Sequence, residues 1–101
     1  MNYKITQSAD TVTVALDGKL NFASNEAFHT ILDKVAGAKV GRVVFDLSSL
    51  ASIDSVGLGL LFIANEDLGA EGARLCLKSP NGAVARLLEL TDAGRTFEIL
   101  P

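Results

Sequence analysis

The chain has one cysteine, one histidine, two prolines and no tryptophan among its 101 residues. A lone cysteine, Cys76, cannot close an internal disulfide, and a lone histidine, His29, offers no cluster for a structural zinc. A disulfide framework and a metal-stapled fold are therefore excluded, and nothing in the sequence calls for a cofactor. A hydrolytic triad would have to use His29 as its imidazole, yet the helical pattern described below turns that residue to solvent. Positive charge is also scarce: nine Lys and Arg stand against twelve Asp and Glu, a net charge of −3 with a pI near 4.9. No basic run supplies the clustered footprint that phosphate backbones require, so nucleic acid is not an expected partner. Long apolar runs are missing too. The longest uncharged stretch, Ser55 to Asn65, falls short of the roughly 20 residues that span a bilayer, and Met1 to Asp10 lacks the basic and apolar regions of a secretion signal. The expectation is a cytoplasmic protein without direct membrane insertion.

What is present is apolar material for one core. Hydrophobic residues make up 49% of the chain and charged residues 21%, which fits a single domain over residues 1–101 without linker or repeat. Tyr3 to Gln7 and Thr11 to Leu16 alternate in polarity and predict an antiparallel hairpin ended by Asp17-Gly18. From Ser24, the expected N-cap, the period changes. Ala27, Phe28, Ile31, Leu32 and Val35 form the stripe of an amphipathic helix, with His29 on the opposite face and Gly37 and Gly41 bracketing its exit. Phe22 and Phe28 are expected in core or rim packing. Val43 to Leu47 predicts a central strand buried on both faces. Ser48 to Ser55 reads as a loop leading into a buried helix from Val56, which ends near Gly69 or Gly72. A strand over Ala73 to Leu77, a helix over Ala83 to Leu90 and a strand over Thr96 to Leu100 complete the chain. The fold class is α/β, a mixed β-sheet with packed α-helices in the order β-β-α-β-α-β-α-β. Cys76, between Leu75 and Leu77, is expected to be a buried and inert thiol.

Polar groups gather at the mouth of the otherwise apolar second helix, in Ile53-Asp54-Ser55-Val56-Gly57-Leu58-Gly59-Leu60-Leu61. A helix N-terminus exposes unpaired N–H groups and partial positive charge, so Asp54 or Ser55 can cap it, and a phosphate is tolerated there. The glycines match neither the dinucleotide fingerprint nor the Walker pattern. Read without a family, they are small residues that allow close helix-to-strand packing. Ser48, Ser49 and Ser52 are expected to satisfy backbone groups in the same segment, with a second phosphosite among them as the alternative.

The string Val43-Val44-Phe45-Asp46-Leu47-Ser48-Ser49-Leu50 followed by that helix mouth resembles the signature of STAS domains, the anti-sigma factor antagonist family. Leu16-Asp17-Gly18-Lys19-Leu20, Ser79-Pro80 with Val84 to Thr91, and Phe97-Glu98-Ile99 extend the likeness over nearly the whole chain. The resemblance implies a non-enzymatic antagonist in a partner-switching pathway. Such a protein binds an anti-sigma factor serine kinase while the serine matching Ser55 is unmodified, is released on phosphorylation, and is reset by a cognate serine phosphatase. It implies a partner-facing surface formed by Asn21, Asp54, Ser55, Val56, Gly57 and Leu58. Asn21 stands where the family usually has aspartate, and Val56 leaves Ser55 as the one hydroxyl of the core motif. Many members add a helix after the last strand, and a homodimer through the flank this helix would cover is a further expectation. The alternatives are a STAS subunit of a lipid or anion transporter and a nucleotide-binding sensor module.

Overall fold

A computed structural model describes all of Met1–Pro101. The chain forms β1 (Asn2–Ser8), β2 (Thr11–Leu20), α1 (Asn25–Ala38), β3 (Arg42–Ile53), α2 (Ser55–Ala70), β4 (Arg74–Lys78), α3 (Gly82–Leu90) and β5 (Glu98–Leu100). Short 3-10 turns precede α1 (Phe22–Ser24) and β5 (Ala93–Arg95). The expected order of strands and helices is thus the observed one. The five strands lie side by side in chain order, with β1 antiparallel to β2 and every later pair parallel. β3 is central, as its apolar run required.

A sheet whose strands advance in one direction through successive crossovers stacks its helices on one face. Accordingly, Phe28, Ile31, Leu32 and Val35 of α1, Leu60, Leu61, Ala64 and Leu68 of α2, and Val84 and Leu88 of α3 share a single cluster with Val12, Val14, Leu16, Phe45 and Leu77 of the sheet. Side chains alternate along a strand, so Thr13, Ala15, Val44, Asp46 and Cys76 occupy the opposite face, which no helix covers. Cys76 is nevertheless buried, because the side chains of Arg42 and Glu98 close over it.

The structure corrects several local expectations. β2 does not end at Asp17-Gly18 but continues to Leu20, and Ser48 to Ile53 are a strand, not a loop. Between Ala15↔Asp46 and Lys19↔Ser52 the register shifts twice, each time with an additional residue on β3. These are β-bulges. The Ser48 N–H next to the first bulge donates to Asp46 Oδ1 at 3.0 Å, and Gly18 opposite takes φ +94, a left-handed conformation that suits glycine. Serines that suggest a loop by composition here decorate a bulged ribbon. α1 runs through Gly37, and Lys39, not a glycine, supplies its left-handed cap at φ 50 and ψ 52. β5 begins at Glu98, because the Thr96 and Phe97 amides both donate to Ala93 O in the preceding turn. Phe28 is fully buried, but Phe22 is 78% exposed.

Candidate functional site

The bulged ends of β2 and β3 overshoot their neighbours. β1 stops opposite Asp17 and β4 stops opposite Asp46, whereas β2 and β3 stay paired to Leu20↔Ile53. A two-stranded ribbon therefore projects from the carboxyl end of the sheet. At its tip the Asp54 N–H donates to Leu20 O at 3.3 Å. This bond sets Asn21 beside Asp54 and Ser55, although they are far apart in sequence. From below, Asn81 Nδ2 donates to Ser48 O at 3.0 Å and ties α3 to the ribbon.

Gly57 explains how closely the helix seats on this ribbon. A Cβ at that position would collide with the Leu20 carbonyl oxygen, lie 2.8 Å from its carbon and 3.0 Å from Ile53 Cγ1. Only glycine leaves room for that carbonyl. Gly59 has no such neighbour within 4 Å, so the expectation of close packing holds for the first glycine and fails for the second.

Asp54, in extended conformation, is the N-cap of α2. Its Oδ1 accepts from the Gly57 N–H at 2.7 Å, and its backbone carbonyl accepts from the Leu58 N–H at 2.9 Å. Ser55 is the first helical residue, not a loop residue; it is exposed, and its hydroxyl makes no hydrogen bond within the protein. The two capping candidates thus divide the work. Asp54 satisfies the backbone, and the Ser55 hydroxyl is free at the positive end of the helix.

Around the other rim of the tip, Asn21 Oδ1 accepts from the Ala23 N–H at 3.0 Å. Ser24 is not the side-chain cap of α1 that its position suggested. Its buried hydroxyl donates to Lys19 O at 2.9 Å and accepts from the Asn21 N–H at 3.2 Å. The turn from β2 into α1 is therefore held by reciprocal bonds between Asn21 and Ser24, which fix where Asn21 and the exposed Phe22 stand.

Of the residues expected to face a partner, Asn21 is half-buried and Asp54, Ser55 and Val56 are exposed, so all four present surface at one end of the molecule. Gly57 and Leu58 turn inward; Leu58 is 9% exposed and belongs to the core. Their place is beneath the site, where they seat it. Phe22 belongs to this surface, against the expectation of core or rim packing. A phenylalanine next to an amphipathic helix reads as core, and only the 3-10 turn aims it outward. Ser49 is exposed and Ser52 half-buried on the ribbon, and against expectation neither side chain satisfies a backbone group, because in a strand the ladder pairs those groups instead. No group of histidine, cysteine, aspartate and glutamate is placed to hold a metal ion, and no helix is long and apolar enough to cross a membrane.

The family model for the STAS domain matches residues 2–101. A candidate anti-sigma factor antagonist of Thermotoga maritima is 30% identical over 98 residues, which cover 96% of this chain and 85% of that protein. A crystal structure of a candidate anti-sigma factor antagonist from Thermotoga maritima superposes with a TM-score of 0.88 at 26% identity, covering 98% of this chain and 86% of that one. The phosphorylated form of Bacillus SpoIIAA superposes with a TM-score of 0.70 at 21% identity, over 97% of this chain and 90% of its own. At that lower identity the likeness shows the fold alone.

Proposed function

This chain belongs to the STAS domain family, and from that membership we propose that it is an anti-sigma factor antagonist whose binding is switched by phosphorylation of Ser55. The observation that carries the reading is the free, exposed Ser55 hydroxyl at the first turn of α2, with Asp54 holding the cap. The Thermotoga relative supports the antagonist role by its name, and the existence of a phosphorylated form of SpoIIAA supports modification in a protein of this fold.

In the unmodified state Asn21, Asp54, Ser55 and Val56 meet an anti-sigma factor that is also a serine kinase. The Ser55 oxygen attacks the γ-phosphorus of ATP, ADP leaves, and the hydroxyl proton passes to a base on the kinase. A cognate phosphatase reverses the state by hydrolysis, releasing inorganic phosphate. The modification adds about −1.5 to −2 charges. The helix dipole tolerates such an anion, at a gain of roughly 0.3–1 kcal/mol per charge, so the fold persists while the docking surface changes. Next to Asp54, the phosphate concentrates negative charge where a partner must approach with its nucleotide. Nothing in this cycle calls for catalysis by the antagonist itself, and its setting is the cytoplasm.

The test uses Ser55→Ala and Ser55→Asp as baits in native lysate, with identification of bound proteins and a phosphosite map of the wild type. The expected result is an ATPase-fold anti-sigma factor held by the alanine form and lost from the aspartate form, with phosphate on Ser55. Equal recovery of a transporter ATPase by both baits, without phosphate, overturns the reading in favour of a transporter subunit.

A further inference from the structure

The second helix was expected to be buried, yet Val56 and Ile63 are each 43% exposed. Along α2, Val56, Leu60, Ile63 and Asp67 recur at i, i+4, i+7 and i+11, one stripe of a 3.6-residue helix. Asp67 lines a groove of about 280 Å³ between α1 and α2, together with Leu32, Asp33 and Ala36. Leu60 is buried, so the exposed part of this stripe is Val56, beside Ser55, and Ile63, one turn before Asp67, where the groove begins. Asp33 and Asp67 are exposed, and neither has an ion-pair partner. Glu71 lines the same groove at its far end, where Lys39 shares an adjoining hollow with it but forms no ion pair, and Lys34 is turned to the other side of α1, where its Nζ lies 3.1 Å from Tyr3 Oη and 5.3 Å from the ring centroid.

We propose that this groove receives a basic amphipathic segment of the partner protein. Its apolar side chains cover Val56 and Ile63, and its Lys or Arg side chains meet Asp33 and Asp67. The inference rests on the antagonist reading and specifies the chemistry of the partner at that same end of the molecule. Covering the apolar stripe supplies affinity, while the unpaired carboxylates select against acidic surfaces and accelerate encounter with basic ones. Two copies paired groove to groove would bring the same carboxylates together, so a symmetric pairing on this face is disfavoured. An anionic lipid surface is repelled by the same carboxylates. Ser55 sits at one end of the stripe, so a phosphate there acts where the docked segment begins.

The anti-sigma factor recovered with the Ser55→Ala bait is purified and titrated against Ser55→Ala chains that carry Asp33→Asn with Asp67→Asn, Ile63→Ser, or the remote pair Glu89→Gln with Asp92→Asn. The groove pair and Ile63→Ser are each expected to weaken binding at least tenfold. The groove pair should also flatten the salt dependence, and the remote pair, which removes the same charge, should stay within twofold of the parent. Equal affinity of the groove and remote variants overturns the proposal while leaving the antagonist reading intact. Separately, an 18-residue helical peptide built from Leu and Lys is titrated into the labelled protein and followed by backbone amide NMR. Saturable shifts confined to Ala36, Ile63, Asp67 and Ala70, and lost in the groove pair, support the proposal. Shifts elsewhere, or none, overturn it. If the bait recovers no anti-sigma factor, the antagonist reading falls, and the peptide alone decides the groove.

Discussion

Asp54 and Ser55 are neighbours with side chains that either could cap a helix, and the backbone decides between them. Asp54 is extended, so its carboxylate reaches back to the Gly57 N–H, while Ser55 is already helical and its hydroxyl points to solvent. Removing each side chain should separate the roles. Asp54→Ala is expected to cost about 1 kcal/mol, the usual loss of an N-cap, whereas Ser55→Ala should change stability by less than about 0.5 kcal/mol, as at other exposed positions. Urea unfolding of the two variants checks this, and a larger loss at Ser55 would show that its hydroxyl holds the helix. Cys76 is buried as expected, for a reason the sequence did not contain: the side chains of Arg42 and Glu98 close over it. Burial, and then its hydrogen bond to Glu98 Oε2 at 2.8 Å, push the thiol's pKa up and keep it protonated.

α2 shows what an element gains from its contacts. Its sequence is apolar on nearly every side, so periodicity assigns it no face, and burial all round is the natural expectation. The finished packing buries Leu61, Ala64 and Leu68 against the sheet and leaves Val56 and Ile63 on the α1 side. Phe62 is half covered by Phe97, with ring centroids 5.0 Å apart. The two glycines of its first turns diverge for the same reason. Gly57→Ala forces a methyl group onto the Leu20 carbonyl, a backbone group that cannot rotate away. The expected loss is about 1–3 kcal/mol, as for other overpacked sites. Gly59→Ala meets nothing and should stabilise the helix by up to about 1 kcal/mol. Thermal unfolding of both variants checks the contrast, and equal shifts would mean that α2 does not seat against β2 as described. Because Leu20 precedes Asn21, strain at Gly57 would also move Asn21 away from Ser55.

Across the whole molecule the helices share one face of the sheet, and the other face is closed by its own side chains. Glu98 on β5 joins three strands there: it accepts from Cys76 of β4, and lies 3.5 Å from Arg42 of β3 and 3.9 Å from Arg74 of β4. The Cys76 hydrogen bond first, then Arg74 and Arg42, hold its pKa below the ordinary value of 4.5. A carboxylate whose folded pKa is depressed stabilises the fold above its unfolded pKa, and that contribution disappears as pH falls through the folded value. Wild type should therefore lose stability with acid below about pH 5 more steeply than Glu98→Gln, and the two should converge at the lowest pH. Urea midpoints measured from pH 6 down to pH 3 test this, and parallel curves would show that Glu98 does not bridge these strands. Asp46, held low mainly by the Ser48 N–H, adds to the acid sensitivity of both proteins.

The sequence by itself determined the order of strands and helices, the central place of β3, the N-terminal mouth of α2 and the family likeness, because each is written in local periodicity or a contiguous motif. Only the tertiary structure decided that the serine-rich segment is a bulged ribbon, since bulges are set by register against β2 and not by composition. It alone brought Asn21 to Asp54 and Ser55 through the Leu20 carbonyl, and turned Gly57 and Leu58 inward while Phe22, Val56 and Ile63 faced out. An apolar side chain carries the same hydrophobicity in either position. Whether it is buried depends on which neighbouring element arrives to cover it.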